Sequence, residues 1–295
     1  MPAMFHHFFW KRGETMYHYQ NLERVSLQDI SRCLNAAFSD YAVPVHLSET
    51  DLSGLFLAGG IDRNLSFGAF FEGQLVGFIL NSRGIYQGYR AAFDVATGVI
   101  PEHRGKQIFA GLFALARQAM ERYQIQRYYL EVLQQNISAI SLYQRHGFSI
   151  TREFVVFSGS ASSESQLPEE IQYTAFSAFD FSAAGGIHRN EPSYEHTDSL
   201  LHLCPDLYDV AYIKKRNISA WCVFEKRTGQ ILQFGWNRIQ DLRKIVQWLL
   251  ACYPSVTVKN IDSTERQILD MLESLSFRIV AKQYEMVCYL NDDSN

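Results

Sequence analysis

The sequence predicts a mixed α/β protein that consists of two tandem domains. Three observations support this prediction. Apolar strands and amphipathic helices alternate along most of the chain. A serine-rich stretch over 158–170 that is poor in apolar residues interrupts the alternation. Part of the earlier pattern then returns at a constant spacing, which is typical of an internal repeat.

The elements before the serine-rich stretch follow from local signals. Ser26 with Asp29 resembles a capping box, and apolar residues at helical spacing follow it. The rest of this half reads as a hairpin over 66–80 turning at Glu72 and Gly73, a strand over 89–100, a helix over 105–123, a buried strand over 127–133, a helix over 136–146 and a strand over 148–157. Gly147 suits a left-handed cap at the end of the last helix.

The second half repeats part of this pattern. After a predicted strand over 171–181 come a hairpin over 219–236, a helix marked by Leu242–Leu249, a strand over 255–261, a helix marked by Ile268–Leu275 and a strand over 277–290. Aligning Phe277 with Phe148 gives one spacing throughout, at which apolar positions agree and polar ones do not. We therefore predict an N-terminal extension (1–15), a first domain (16–158), a linker with one strand (159–190) and a degenerate second domain (191–295).

Composition excludes several classes of protein. Of the 295 residues 47% are hydrophobic and 20% are charged, which predicts a folded globular protein. The net charge of −4 argues against nucleic acid as a partner, and no apolar stretch is long enough to span a membrane. The nine histidines show no ligand spacing, so we propose no metal. Five scattered cysteines favour reduced thiols and a cytoplasmic protein.

The stretch VIPEHRGKQIFAGLF (99–113) contains a strand end, a charged glycine turn and the start of a helix. The first N–H groups of a helix lack intrahelical partners and lie at the positive end of its dipole, so they favour an anion. Arg104 and Lys106 add positive charge. The pattern predicts a site for a diphosphate, and the alternative is a plain helix start with solvated basic residues.

Two segments together resemble the acetyl-CoA-dependent N-acetyltransferases of the GNAT superfamily. The first is GVIPEHRGKQIFAGLF, which is similar to that family's pyrophosphate loop R/Q-x-x-G-x-G/A from Arg104 onward, with Gln107 and Phe109 as departures. The second is LEVLQQNISAISLYQRHGF, which is similar to the family's N-x-x-A-x-x-x-Y-x-x-x-G-F helix; its matching residues are Asn136, Ala139, Tyr143, Gly147 and Phe148. The resemblance covers residues 16–158 well and the later half of the fold over 191–290 weakly.

The resemblance implies acetyl-CoA as co-substrate and a GNAT-like fold. The implied cofactor-binding residues lie on the central strand, the loop and the two helix starts: Thr97, Val99, Ile100, Arg104, Gly105, Lys106, Gln107, Ile108, Phe109, Ala110 and Asn136. The pantetheine arm is expected along the backbone of 97–100. Asn136 is also a natural N-cap for its helix, and both roles can hold.

The same resemblance and the chemistry of the reaction indicate catalytic residues. Tyr143 suits a general acid for the leaving thiolate, because a phenol is protonated at neutral pH; a core tyrosine is the alternative. Glu131 is the candidate general base, with Asp94 as a second candidate and an ion-paired strand-edge carboxylate as the alternative. A main-chain N–H near Val99 is expected to meet the oxyanion.

The loop after the first helix carries Asp40 and Tyr41, an acidic and aromatic pair that suits a cationic amine. A capped helix end with a solvated aspartate explains Asp40 equally well. The predicted function is acetyl transfer to a primary amine of a small molecule or peptide, and the alternative is a non-catalytic acyl-CoA-binding or sensor protein. The second domain lacks a counterpart of the loop and has Leu272 where the first has Tyr143, so we expect it to cover the substrate side or to form a homodimer.

Overall fold

A computed structural model describes residues 8–10, 17–40, 46–160, 170–184 and 187–290. The chain divides into two compact units that are not continuous in sequence. The first unit comprises Met1–Leu130, Gln144–Phe148 and Val287–Asn295, and the second comprises Glu131–Tyr143 and Ser149–Met286. The continuous domain limits derived from the sequence stay a prediction.

The first unit contains six neighbouring strands in the order β1-β2-β3-β4-β5-β6. Its elements are β1 (Phe8–Trp10), β2 (Tyr17–Asn21), α1 (Leu27–Ala37), α2 (Glu49–Ala58), β3 (Phe67–Phe71), β4 (Gln74–Tyr86), β5 (Tyr89–Val99), α3 (Ile108–Arg122) and β6 (Arg127–Leu133), the last of which ends in the second unit. Strand β1 lies within the predicted extension and pairs antiparallel with β2.

Local chemistry fixes these elements. The Ser26 hydroxyl accepts from the Asp29 N–H at 3.0 Å and caps α1 as predicted. Glu72 and Gly73, both with positive φ, turn the predicted β3–β4 hairpin. Buried apolar side chains of α1, α2 and β4 form a core cluster around Ile30, Leu52 and Phe78.

The strands of the second unit lie in the order β14-β7-β13-β12-β11-β10-β8, with β9 against β12. Its elements are α4 (Ile137–Arg145), β7 (Ser149–Ser160), β8 (Gln172–Ala175), β9 (His188–Arg189), α5 (Asp198–Leu201), β10 (Tyr208–Lys214), β11 (Ile218–Glu225), β12 (Ile231–Trp236), α6 (Ile239–Cys252), β13 (Ser255–Asp262), α7 (Arg266–Ser274) and β14 (Arg278–Tyr289). The last three residues of β14 belong to the first unit, where the N–H of the following Leu290 donates to the carbonyl of Gln126 at 2.9 Å.

The bounds of equivalent elements support the predicted repeat. Helix α7 begins and ends 129 residues after α4, and β14 begins and ends 129 residues after β7. Gly147 ends its helix with φ 90°, and its repeat mate Ser276 has φ 64°. The left-handed cap is therefore retained where serine replaces glycine.

Six elements were not predicted from the sequence: β1, β2, α2, β9, α5 and β10. The predicted strand over 171–181 is wrong beyond residue 175, because Phe176–Ala178 and Phe181–Ala184 form 3₁₀ turns. Phe176 and Phe179 lie buried in one core cluster, and their spacing of three suits a turn rather than a strand. No helix in the described ranges is both long and apolar enough to cross a bilayer.

Candidate functional site

The loop between β5 and α3 adopts a left-handed turn at two positions. Gly105 has φ 73°, and a Cβ built there would meet no atom within 4 Å. Gln107, the residue before α3, has φ 61° and ψ 21°, and its side chain does not cap the helix. Gln107 stands where the loop pattern R/Q-x-x-G-x-G/A has its first glycine; the backbone there favours glycine, and glutamine adopts it at a cost of about 1–2 kcal/mol. The N–H groups of Ile108, Phe109 and Ala110 form the first turn of α3, where no intrahelical acceptor exists.

Arg104 holds this loop to the end of α1. Its guanidinium donates to both carboxylate oxygens of Asp40 at 2.6 and 2.8 Å, to the carbonyl of Ala37 at 2.8 Å and to the carbonyl of Val99 at 3.0 Å. The hydrogen bond from Arg104 lowers the pKa of Asp40. The sequence assigned Arg104 to the cofactor and Asp40 to the acceptor, whereas the structure brings them together as an exposed ion pair.

The last residues of β5 have an open side. Strands β5 and β6 run parallel and pair from Ala91 with Arg127 to Asp94 with Leu130. Beyond Asp94, in the described part of the first unit, β5 pairs with β4. Strand β4 has a register shift between Leu80 and Asn81, and Asn81 lies opposite Asp94, where the pairing of β5 with β6 ends.

The ladder of β4 and β5 determines which N–H groups face the open side. The N–H of Ile100 donates to the carbonyl of Val76 at 3.0 Å. Because hydrogen-bonded and non-bonded pairs alternate in an antiparallel ladder, Val99 opposite Gly77 directs its N–H and C=O away from β4. Thr97 has the same phase. The open side therefore offers the N–H groups of Thr97 and Val99, while that of Ile100 is already engaged.

Helix α4 carries Asn136 and Tyr143. Asn136 precedes α4, and its Oδ1 accepts from the Ala139 N–H at 3.2 Å and the Ser138 hydroxyl at 3.0 Å, so it acts as the N-cap. Tyr143 lies in the last turns of α4 and is half-buried. A half-buried tyrosine fits both a general acid and a core residue, so its catalytic role stays a prediction.

Glu131 at the end of β6 lies in a polar cluster of the second unit. Its Oε2 accepts from Asn260 Nδ2 at 2.7 Å, and its Oε1 is shielded from solvent. Burial is the main cause that raises the pKa of Glu131 well above its usual value, and the charges of Glu195 and Glu285 raise it further. Hydrogen bonds from Asn260 and Ser193 oppose the shift. A raised carboxyl pKa is what a general base near neutral pH requires.

The remaining predicted residues have simpler surroundings. Asp94 is buried and accepts from the Thr97 hydroxyl at 2.7 Å. Lys106 is exposed, and Phe109 is buried against Phe113 with ring centroids 5.7 Å apart. Tyr41 lies outside the described residues. Among the described residues, no group of three or more His, Cys, Asp or Glu could hold a metal ion.

The second unit lacks an equivalent of the glycine turn. Arg238, the residue before α6, has φ −131°, and of the described residues between Trp236 and Ile239 none has a positive φ. A cleft of about 580 Å³ lies at this helix start and includes Arg243 and Asp270 in its lining. The backbone at α6 therefore does not reproduce the arrangement at α3.

Sequence reasoning missed Asn260, Ser193 and the ion pair of Arg152 with Glu285. Glu285 is 1% exposed and accepts from Arg152 at 2.8 and 3.0 Å. The one available signal was the repeat, because Asn260 falls 129 residues after Glu131. A polar residue at the same position of both repeats indicates a position of interest in each half.

Comparisons with known proteins agree with this geometry. The model of the acetyltransferase (GNAT) family matches residues 27–148. Similar solved structures include a GCN5-related N-acetyltransferase from Sphaerobacter thermophilus (14% identity, 93% of this chain and 96% of that chain, TM-score 0.66) and a putative acetyltransferase from Pyrococcus horikoshii (12% identity, 97% and 93%, TM-score 0.64). Another is the glucosamine N-acetyltransferase region of a fungal multi-domain GH3 β-N-acetylglucosaminidase (12% identity, 93% and 38%, TM-score 0.69). No curated protein matched. The coverage confirms the predicted fold with its two tandem halves.

Proposed function

We propose, from the match of residues 27–148 to the acetyltransferase (GNAT) family model, that the chain transfers an acetyl group from acetyl-CoA directly to a primary amine. The observation that carries the proposal is the left-handed turn at Gly105 and Gln107, which opens α3 beside the open side of β5. A fold of this family supports acetyl transfer to amines in general. The acceptor and the dependence on acetyl-CoA belong to the proposal.

The residues of the loop fit coenzyme A. A diphosphate suits successive N–H groups at a helix start, and a left-handed turn before the helix favours such an anion nest. The loop amides from Gly105 to Ala110 would hold the pyrophosphate with Lys106 beside them, and the backbone of Thr97 and Val99 would hold the pantetheine arm. Arg104 supports the loop through the carbonyls of Ala37 and Val99, and its contact with the cofactor stays part of the proposal.

Acetyl-CoA supplies the acetyl group as a thioester. Glu131 takes a proton from the amine nitrogen at its carboxylate, which makes the nitrogen nucleophilic. The Val99 N–H donates to the oxygen on which negative charge develops. As the amine nitrogen bonds to the carbonyl carbon the C–S bond would break, and Tyr143 would donate its phenolic proton to the leaving sulfur and regain one from solvent. Holding the two reactants together supplies much of the remaining rate.

The acceptor is a primary amine of a small molecule or a peptide. Asp40 and Tyr41 are the proposed acceptor-side residues, with Asp40 linking that segment to Arg104. All five cysteines carry free thiols, which supports a cytoplasmic protein. A homodimer through the second half is a further proposal that sedimentation analysis tests.

The test separates binding from turnover. Titration calorimetry with coenzyme A should give saturable binding, and thiol release from acetyl-CoA should appear with at least one amine of a panel. Tyr143→Phe should lower kcat by about 10²-fold or more with coenzyme A affinity unchanged. The matched control Tyr173→Phe changes an exposed tyrosine and should keep full activity. Absence of coenzyme A binding would refute the proposal, and binding with no thiol release on any amine would favour the sensor function.

A further inference from the structure

Asn260 and Glu131 occupy equivalent positions of the two repeats and contact each other. They are 129 residues apart, and Asn260 Nδ2 donates to Glu131 Oε2 at 2.7 Å. The same Nδ2 donates to the Ser193 hydroxyl at 3.0 Å. Asn260 is 2% exposed and Ser193 is fully buried. The two residues therefore form a buried, hydrogen-bonded contact inside the second unit.

The backbone at Asn260 is shaped for this contact. Asn260 has φ 54° and lies where the register of β13 with β7 shifts between Val258 and Ile261. A bulge of this kind redirects a side chain, and asparagine tolerates the left-handed region better than most residues. The bulge turns the amide toward the end of β6 at the expense of regular pairing.

Two buried oxygens of this pair lack a donor. Glu131 Oε1 and Asn260 Oδ1 are both shielded from solvent, and neither has a hydrogen-bond partner among the described residues. Both atoms are acceptors once Glu131 is ionised. Buried acceptors are normally satisfied, so the pair lacks an N–H or O–H donor from outside the chain or a proton on the carboxyl.

The surrounding charges favour a positively charged donor. Glu195 and Glu285 act electrostatically on Glu131, and Glu285 is balanced by Arg152. Burial, with Lys259 nearby, lowers the pKa of His196 to about 3, so this imidazole is neutral and adds no charge. Arg152 also donates to the carbonyls of Glu191 and Pro192, which fixes the loop that carries Ser193. Among the described residues Glu131 has no direct cationic partner, so only the hydrogen bonds from Asn260 and Ser193 offset the raised pKa of its carboxyl.

We propose that Asn260 is a positioning residue that holds Glu131 through Oε2 and sets the proton affinity of the carboxyl that takes a proton from the acceptor amine. This inference rests on the proposed function, in which Glu131 is the base. In the step one N–H bond breaks and one O–H bond forms on the Glu131 carboxyl. The electron pair stays on the nitrogen, which becomes neutral, and the proton later leaves to solvent.

The test compares Asn260→Asp with the wild type by the pH dependence of kcat/KM. A second carboxylate against Glu131 should move the acid limb upward by about one pH unit or more. At a fixed pH on the acid limb kcat/KM should then fall about tenfold, with coenzyme A affinity unchanged. Ser193→Ala, a milder change, should shift the limb in the same direction by less. Thr151→Val is the matched control, because Thr151 donates to Glu285 rather than Glu131, and it should leave the limb in place.

A second readout separates this inference from the proposed function. Carbon-13 spectra of glutamate carboxyls, with the Glu131 signal assigned through Glu131→Gln, report its titration without turnover. An Asn260→Asp protein whose Glu131 titrates as in the wild type overturns the inference even where acetyl transfer is established. A shifted titration supports the coupling even where no amine is acetylated, and the lack of turnover then counts against the proposed function alone.

Discussion

The left-handed backbone at Gln107 and at Gly105 predicts that glycine at 107 stabilises the protein and that alanine at 105 destabilises it. Replacing Gln107 by glycine removes a left-handed strain of about 1–2 kcal/mol and costs about 0.4–1 kcal/mol because the unfolded chain gains freedom. Gln107 is exposed and its side chain does not cap α3, so few contacts are lost. We expect Gln107→Gly to stabilise the protein by about 0.5–1 kcal/mol.

The matched control is Gly105→Ala in the same loop. Gly105 has φ 73° and open space around a built Cβ, so alanine adds left-handed strain with no steric clash. By the same terms it should destabilise the protein by about 0.5–1 kcal/mol. For a chain of this size these changes correspond to melting shifts of about +2 and −2 °C. Differential scanning calorimetry measures both.

Coenzyme A affinity completes the test. Both variants keep every main-chain N–H of the loop, so titration calorimetry should give dissociation constants within about threefold of the wild type. A Gln107→Gly protein that melts lower than the wild type would refute the strain argument. A tenfold weaker affinity in that variant would show that the glutamine side chain, and not the backbone, holds the ligand.

Two further predictions concern packing and pH. Gly111→Ala should destabilise the protein by about 1–3 kcal/mol, because its Cβ would lie 2.7 Å from the ring of Tyr19. The control Gly54→Ala, at an open helical position, should stabilise the protein by about 0.5–1 kcal/mol. Equal melting points of the two variants would contradict the packing argument. Since the pKa of Glu131 is raised by folding, the folded protein binds more protons and its unfolding free energy falls as pH rises above about 5. Urea unfolding of Glu131→Gln should therefore show an advantage over the wild type that grows from pH 4 to pH 8, and a constant difference would disprove the assigned shift.

Periodicity and local turn chemistry predicted the elements whose signals are local. The hairpin at Glu72 and Gly73 follows from a two-residue turn between alternating strands, and β6 has the predicted bounds Arg127–Leu133. Helix α2 was missed because its apolar residues do not form one stripe, although the capping box of Ser48 and Asp51 marks its start. Strand β10 was missed because its seven residues form too short a run to be distinguished from a loop by periodicity alone.

The sequence predicted the atoms of the loop but not their partners. A charged glycine turn before a helix indicates an anion site, and the left-handed φ of Gln107 explains why the family places glycine there. Nothing local indicates that Arg104 lies against Asp40, which is 64 residues away. Sequence reasoning assigned the Arg104 guanidinium to a ligand because its acceptors within the protein are distant in the chain and carry no local signal. Contacts of this kind require the fold.

The contact of Glu131 with Asn260 shows why the second repeat differs from the first at this position. A repeat that kept a carboxylate at residue 260 would place two carboxylates in direct contact, at the 2.7 Å now spanned by a hydrogen bond. Two such groups cannot both ionise readily, so they would share one proton, and the remaining charge would belong to the pair rather than to Glu131 alone. An amide at 260 supplies a donor in place of the second charge. The amide at 260 therefore leaves Glu131 as the single titrating group of this contact.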